Sequence, residues 1–195
     1  VTAVAALSPG FADPVRDSQR CFRRLLDAMS RPGRIVEIDA AATPSAGLSP
    51  AAAALALTLA DIDAPVWLGG TAAEAAAWIR FHTGAAVVAD PRAALFAFAD
   101  RGAIPDLRRL DAGTDEYPDR STTLVVEVAH LDAGGPIALR GPGIEDVHRV
   151  AIDGPDAAFW RLRAELHELF PRGIDVVFTC GTRVLGLPRT TRAEV

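Results

Sequence analysis

The sequence predicts an α/β fold, a mixed β-sheet covered by helices, on three observations. Early in the chain, short β-prone runs alternate with stretches of helical periodicity, as when strands are joined through helices. Later, β-prone runs come in pairs across turn residues, as in hairpins. No repeat, low-complexity segment or linker divides the 195 residues, and that length suits one domain. Residues 1–195 are therefore taken as a single α/β domain, with about 1–12 as a flexible N-terminal segment.

Asp17 and Ser18 are expected to cap a first helix running to about Ser30, with Cys21, Phe22, Leu25, Leu26 and Met29 on its apolar face. Pro32-Gly33 stops it and Ile35–Ile38 reads as a strand. Ser49 is an N-cap with Pro50 at the first turn of a helix through Leu59. Pro65–Leu68 is a short strand. Thr71 with Glu74 three residues on suggests a capping box that opens a third helix. Val87-Val88 and Ala94–Phe98 are strand candidates, and 100–121 is a long connection with a helical turn near Leu107. Thr122–Val128 is strongly β-prone, and Ile137–Leu139 is expected to answer it as a hairpin across Gly134-Gly135-Pro136. Asp156 starts a helix with Phe159, Trp160, Leu162, Arg163 and Leu166 at helical spacing. A last hairpin pairs Ile174–Phe178 with Val184–Leu187 before Pro188.

Half of the residues are apolar and 23% are charged, a globular composition. The alanine-rich stretch Ala51–Ala60 is too short to span a bilayer, and no basic segment opens the chain as a signal would. A net charge of −5 argues against nucleic acid as a partner. Cys21 and Cys180 lack C-x-x-C spacing, which reads as reduced thiols in a cytoplasm. All 20 basic residues are arginine. Without a lysine the chain offers no side-chain amine for a pyridoxal phosphate aldimine, and no Walker lysine.

Several corners are suited to anions. Gly69-Gly70-Thr71 between a strand and a helix could present free N–H groups, although a turn with a cap explains it as well. Arg80 and His82 precede Gly84, either as anion ligands or as a basic helix terminus. Arg16, Arg20, Arg23, Arg24 and Asp27 form a charged stripe that reads as a solvated face, or equally as a partner-docking surface. Gly141 and Gly143 flank Pro142 in a turn that lets backbone approach a ligand or another segment. His167-Glu168 lacks the second histidine of H-E-x-x-H, because position 171 is proline. Arg189-Thr190-Thr191 sets a guanidinium beside two hydroxyls, equally able to hold an anion or a partner's backbone. No nucleophile, base and oxyanion site assemble from these motifs, and no metal-ligand cluster is visible.

Six stretches in order carry a resemblance: "FRRLLDAMSRPG" (22–33), "LTLADIDAPVWL" (57–68), "RFHTGA" (80–85), "GTDEYPDRSTTL" (113–124), "LRGPGI" (139–144) and "FPRGIDVVFTCGTRVLGLPRTT" (170–191). In this set the chain resembles the PhnH family, a subunit of the bacterial carbon–phosphorus lyase system for phosphonate breakdown. The resemblance implies a three-layer sandwich similar to the large domain of pyridoxal phosphate-dependent transferases, but without that cofactor. It implies a homodimer in isolation and a core complex with subunits G, I and J, with I in direct contact. With subunits G, I and L, the family supports attack of an alkylphosphonate on ribose C1′ of ATP. Adenine leaves and ribose 1-phosphonate 5-triphosphate forms. No catalytic residue is carried over. Arg80, His82, Gly141, Gly143, Arg189, Thr190 and Thr191 are the candidate ligand-binding or interface set. The expected function is an assisting subunit that is not catalytic alone. The alternative is a stand-alone phosphonate- or nucleotide-binding protein or enzyme.

Overall fold

The computed structural model describes residues 8–39 and 47–195. Helix α1 (Pro14–Ser30) starts earlier than the Asp17-Ser18 expectation. Asp13 is the N-cap: its carboxylate accepts from Arg16 N, while its own N–H donates to Asp17 Oδ2 at 3.0 Å. Asp-Pro is the local reason, since aspartate caps and proline is pre-set for the first helical position. The apolar face is also narrower than expected. Cys21, Leu25 and Ala28 are buried, whereas Phe22 and Leu26 face outward.

Strand β1 (Ile35–Glu37), helix α2 (Pro50–Leu59) and strand β2 (Val66–Gly69) follow. Helix α2 is capped by Ser49 as expected, with Oγ accepting from Ala52 N at 3.2 Å. Its alanines are buried on several sides, so neighbouring helices can approach closely. Gly70–Ala75 is a 3-10 turn without a side-chain cap, and α3 (Ala76–Thr83) begins only after it. The expected Thr71–Glu74 capping box does not form, because Thr71 is bonded to Asp100 instead.

Strands β3 (Val87–Val88), β4 (Phe96–Asp100), β5 (Thr123–Glu127), β6 (His130–Arg140) and β7 (His148–Asp153) come next. Helix α4 (Ala157–His167) and strands β8 (Asp175–Cys180), β9 (Arg183–Leu187) and β10 (Arg192–Glu194) complete the chain. Seven strands form a central sheet in the order β1-β9-β8-β5-β4-β2-β3. Neighbours from β8 to β3 run parallel, while β9 is antiparallel to both β8 and β1. The sheet is mixed, as expected.

The hairpin expected between residues 122–128 and 137–139 does not exist. Both edges of β5 are taken by β4 and β8, so no edge remains for another partner. Strand β6 instead joins β7 and β10 in a second, three-stranded sheet. Gly134-Gly135-Pro136 is a register shift inside β6 rather than a turn between strands. There, a side chain on Gly135 would meet Val150 O at 2.4 Å.

Alternating side chains divide the core between the two faces of the central sheet. Val66, Phe98, Val125, Val177 and Val184 pack with α1, α2 and α3. Leu124, Val126, Val176, Phe178, Leu185 and Leu187 pack with α4 and the small sheet. One face is thus covered by helices and the other by a helix together with β6, β7 and β10. Of the expected flexible segment, residues 1–7 lie outside the described residues. Beyond them Ser8 O accepts from Trp78 Nε1 at 2.8 Å, and Gly10 lies against the His82 ring.

Candidate functional site

In open α/β sheets, ligands lie beyond the carboxyl ends of parallel strands. Here two carboxylates stand at those ends. Asp100, which closes β4, accepts from Thr71 N at 2.6 Å, Thr71 Oγ1 at 3.0 Å and Gly102 N at 2.8 Å. These bonds hold its carboxyl below the ordinary aspartate value, with the Thr71 N–H as the largest cause. Glu127, which closes β5, accepts from Ser49 Oγ and Thr179 Oγ1, each at 2.5 Å, and from Gly181 N at 3.3 Å. The space between them is about 10 Å³ and is lined by no basic side chain. The N–H that a phosphate would need at Gly70-Thr71 is therefore already used by a carboxylate. Gly70 itself sits at φ +61°, where a side chain would strike Asp100 Oδ2 at 2.1 Å. That turn is a structural cap.

The Arg80–His82 corner ends α3, on the face of the sheet covered by α1–α3. Gly84 closes the helix in the left-handed conformation at φ +74°, its N–H donating to Arg80 O at 3.1 Å. His82 Nε2 lies 3.1 Å from Ser8 O, and its ring packs between Trp78 and Phe81 at centroid distances of 4.9 and 5.0 Å. His82 thus fastens the N-terminal segment, while Arg80 faces solvent.

The tail gathers the other candidates on the opposite face. Arg189 is tied down from all sides, with a side chain only 14% exposed. Its backbone N–H and guanidinium both bind Asp175, the latter through Nη2 to Oδ2 at 2.5 Å. Nη2 also donates to Ser121 Oγ at 2.6 Å, and Nη1 donates to Pro118 O. This arginine staples β8, the 118–121 turn and the tail together. Gly141 (φ +142°) lies so close that a side chain would meet Thr190 O at 2.8 Å, and Gly143 (φ +84°) abuts Ser30 O at the end of α1. Gly141, Thr190 and Thr191 are thus neighbours, with Arg189 behind them, and Arg80 and His82 are elsewhere.

One residue outside the candidate set belongs to this corner. Arg163 of α4 is 2% exposed, and of its three guanidinium nitrogens only Nη2 has a partner among the described residues, Pro188 O. Burial without a neutralising partner lowers its pKa to about 10; Asp175 opposes the shift and Arg189 adds to it. Thr191, 1% exposed, has an unpartnered Oγ1. Both residues line a cavity of about 210 Å³ with His167, Glu168, Arg192 and Glu194. His167 donates from Nδ1 to Arg189 O at 3.0 Å and accepts at Nε2 from Arg192 Nε at 2.8 Å, which assigns its proton to Nδ1. The available signal for Arg163 was its position among Phe159, Trp160, Leu162 and Leu166 on the apolar face of the helix. Among the described residues, no group of three or more His, Cys, Asp or Glu side chains is arranged to hold a metal ion.

Comparison with known proteins extends over nearly the whole chain. Residues 9–194 match the family model of the bacterial phosphonate metabolism protein PhnH. The chain is 48% identical over 190 residues to alpha-D-ribose 1-methylphosphonate 5-triphosphate synthase subunit PhnH of Rhizobium meliloti (strain 1021), covering 96% of this chain and 95% of that one. It is 31% identical over 181 residues to HtxG of Stutzerimonas stutzeri, named as a candidate C-P lyase subunit protein, covering 91% and 86%. Matched from end to end in the order its motifs suggested, the chain belongs to the bacterial phosphonate metabolism protein family, PhnH.

Proposed function

We propose that this chain is an assisting subunit of a synthase that transfers an alkylphosphonate to ribose C1′ of ATP, releasing adenine and forming ribose 1-phosphonate 5-triphosphate. The observation that carries this reading is 48% identity over almost the full length of both chains to a protein named as a subunit of such a synthase. The chemistry of the chain is consistent with an assisting role. Of its cysteines, Cys21 is buried, which raises its thiol pKa, and Cys180 Sγ lies 3.5 Å from Ala129 O. Cys180 Sγ also accepts from Arg183 Nη2 at 3.7 Å, and no histidine or carboxylate is bonded to either thiol among the described residues. Helix α1 turns Val15, Phe22 and Leu26 to solvent along one side, apolar area of the kind that assembly covers.

In this reading the protein works in the cytoplasm as a single α/β domain. It forms a homodimer when isolated and a complex with subunits G, I and J, in which I is the direct contact. No helix among the described residues is long and apolar enough to cross a membrane. The sheet, with a single reversed strand next to its edge, is read as the counterpart of the large domain of pyridoxal phosphate-dependent transferases. The cofactor is not part of the reading, since no lysine is present to bind it.

The test is co-expression with subunits G, I, J and L, then size exclusion and an assay of adenine release from ATP and methylphosphonate. Co-elution, with release that requires this chain and is absent from the isolated chain, is the expected result. Adenine release by the isolated chain, or full turnover by the other subunits without it, would overturn the reading. Deleting the last seven residues is a poor probe of docking, because it removes Arg189 and with it the tie to Asp175.

A further inference from the structure

We propose that the cleft between α4 and β10, walled by Arg163 and Thr191, binds a small phosphorus oxyanion, the PO₃ group of an alkylphosphonate or of inorganic phosphate. Among the described residues, three buried polar atoms there lack any partner: Arg163 Nε, Arg163 Nη1 and Thr191 Oγ1. Native structures rarely leave such groups unsatisfied, and a buried donor without an acceptor is costly. The three atoms belong to two residues that wall the same cavity of about 210 Å³, large enough for a phosphonate or phosphate group. All three can donate, and a PO₃ group offers three acceptor oxygens, one more than a carboxylate.

The buried charge points the same way. Arg163 and Arg189 stand near one carboxylate, Asp175, and Arg189 is the arginine bonded to it. One positive charge is left over on a guanidinium whose residue is only 2% exposed, and a bound anion would neutralise it. The remaining polar groups of the wall leave this balance intact. Arg192 and Glu168 face each other at 3.7 Å, with side chains 66% and 75% exposed. Glu194 is likewise in solvent, where its repulsion of an anion is screened. His167 uses both ring nitrogens on Arg189 O and Arg192.

The assignment rests on these atoms, and the synthase reading only nominates methylphosphonate as a probe. Failure of the complex to assemble would leave the assignment standing, and failure of binding would leave the synthase reading standing. The experiment is calorimetric titration of the isolated full chain with methylphosphonate, inorganic phosphate and acetate, repeated on Thr191→Val and Arg163→Met. Saturable binding of a phosphorus oxyanion is expected, with acetate binding at least about tenfold more weakly. Thr191→Val should weaken it by about tenfold, the effect of one hydrogen bond to a charged group, and Arg163→Met should abolish it. Thr191→Val conserves shape, so it remains informative if Arg163→Met does not fold. Preference for methylphosphonate over phosphate would identify the substrate as the source of the group, and equal binding would identify the PO₃ group alone. Flat titrations to about 10 mM of both phosphorus ligands, unchanged binding in Thr191→Val, or acetate binding as well as phosphate would each overturn the proposal.

Discussion

The tie at Arg189 and the cleft at Arg163 share a stretch of backbone and one carboxylate, but they use their donors in opposite ways. Arg189 binds Asp175, Ser121 and the Pro118 carbonyl, whereas Arg163, more deeply buried, bonds only the Pro188 carbonyl. The first is a guanidinium that completes the fold. The second is a guanidinium that the fold leaves incomplete. The lesson is that an arginine suited to an anion is identified by its unmet donors rather than by its exposure or by neighbouring hydroxyls.

The most severe way to break this contrast is to remove each charge in turn. Asp175→Ala or Arg189→Ala leaves a half-buried ion without its partner and is expected to cost about 3 kcal/mol in urea unfolding. Arg163→Met removes a charge that lacks a partner and is expected to change stability by no more than about 1 kcal/mol. Equal costs for the two arginines would erase the distinction. A smaller effect should come from the turn that packs beside the tail. Gly141→Ala forces a side chain against Thr190 O at 2.8 Å in a backbone conformation that disfavours it, for about 2–3 kcal/mol. Gly84→Ala meets nothing within 4 Å, so only the left-handed backbone should count, at about 1 kcal/mol. Thermal unfolding of the pair separates crowding from conformation.

His82→Ala tests whether the α3 corner is a fastening. Global stability should fall by about 1 kcal/mol, while amide exchange around Ser8–Gly10 rises selectively. Uniform exchange would show that the ring does not hold this segment. A comparably small effect at neutral pH, about 1 kcal/mol, is expected for Asp100→Asn, since the amide keeps one oxygen acceptor but replaces the other by a donor that faces an N–H. Its signature lies in acid. The Asp100 carboxyl is lowered in the folded state, so its contribution is fully present above the ordinary aspartate value near 3.9. It is lost as pH falls through the lower folded value. The stability curves of wild type and variant should therefore converge at the acid end, and parallel curves would mean that the bonds from Thr71 and Gly102 do not stabilise the charge.

What local sequence determines was legible here. Ser49-Pro50 announced α2 because a hydroxyl before a proline is a helix start on its own, and the final hairpin was readable because β8 and β9 are adjacent and joined by a tight turn. The start of α1 is also written in the sequence, in Asp13-Pro14, one turn ahead of the Asp17-Ser18 pair. The family, too, was written in the ordered motifs from residue 22 to 191. Tertiary structure alone decided which strands meet and which polar groups are left over. Nothing local could show that β5 has both edges covered, that β6 bends at Gly134-Gly135 to join a second sheet, or that β10 exists as its partner. The candidate set likewise split along physical lines. Arg189 looked available because its partners Asp175, Ser121 and Pro118 lie 14 to 71 residues away. Arg163 looked like part of an apolar face because its missing partners cannot be seen in a sequence. Hydrogen-bond satisfaction is a sum over contacts distant along the chain, and only the folded molecule completes it.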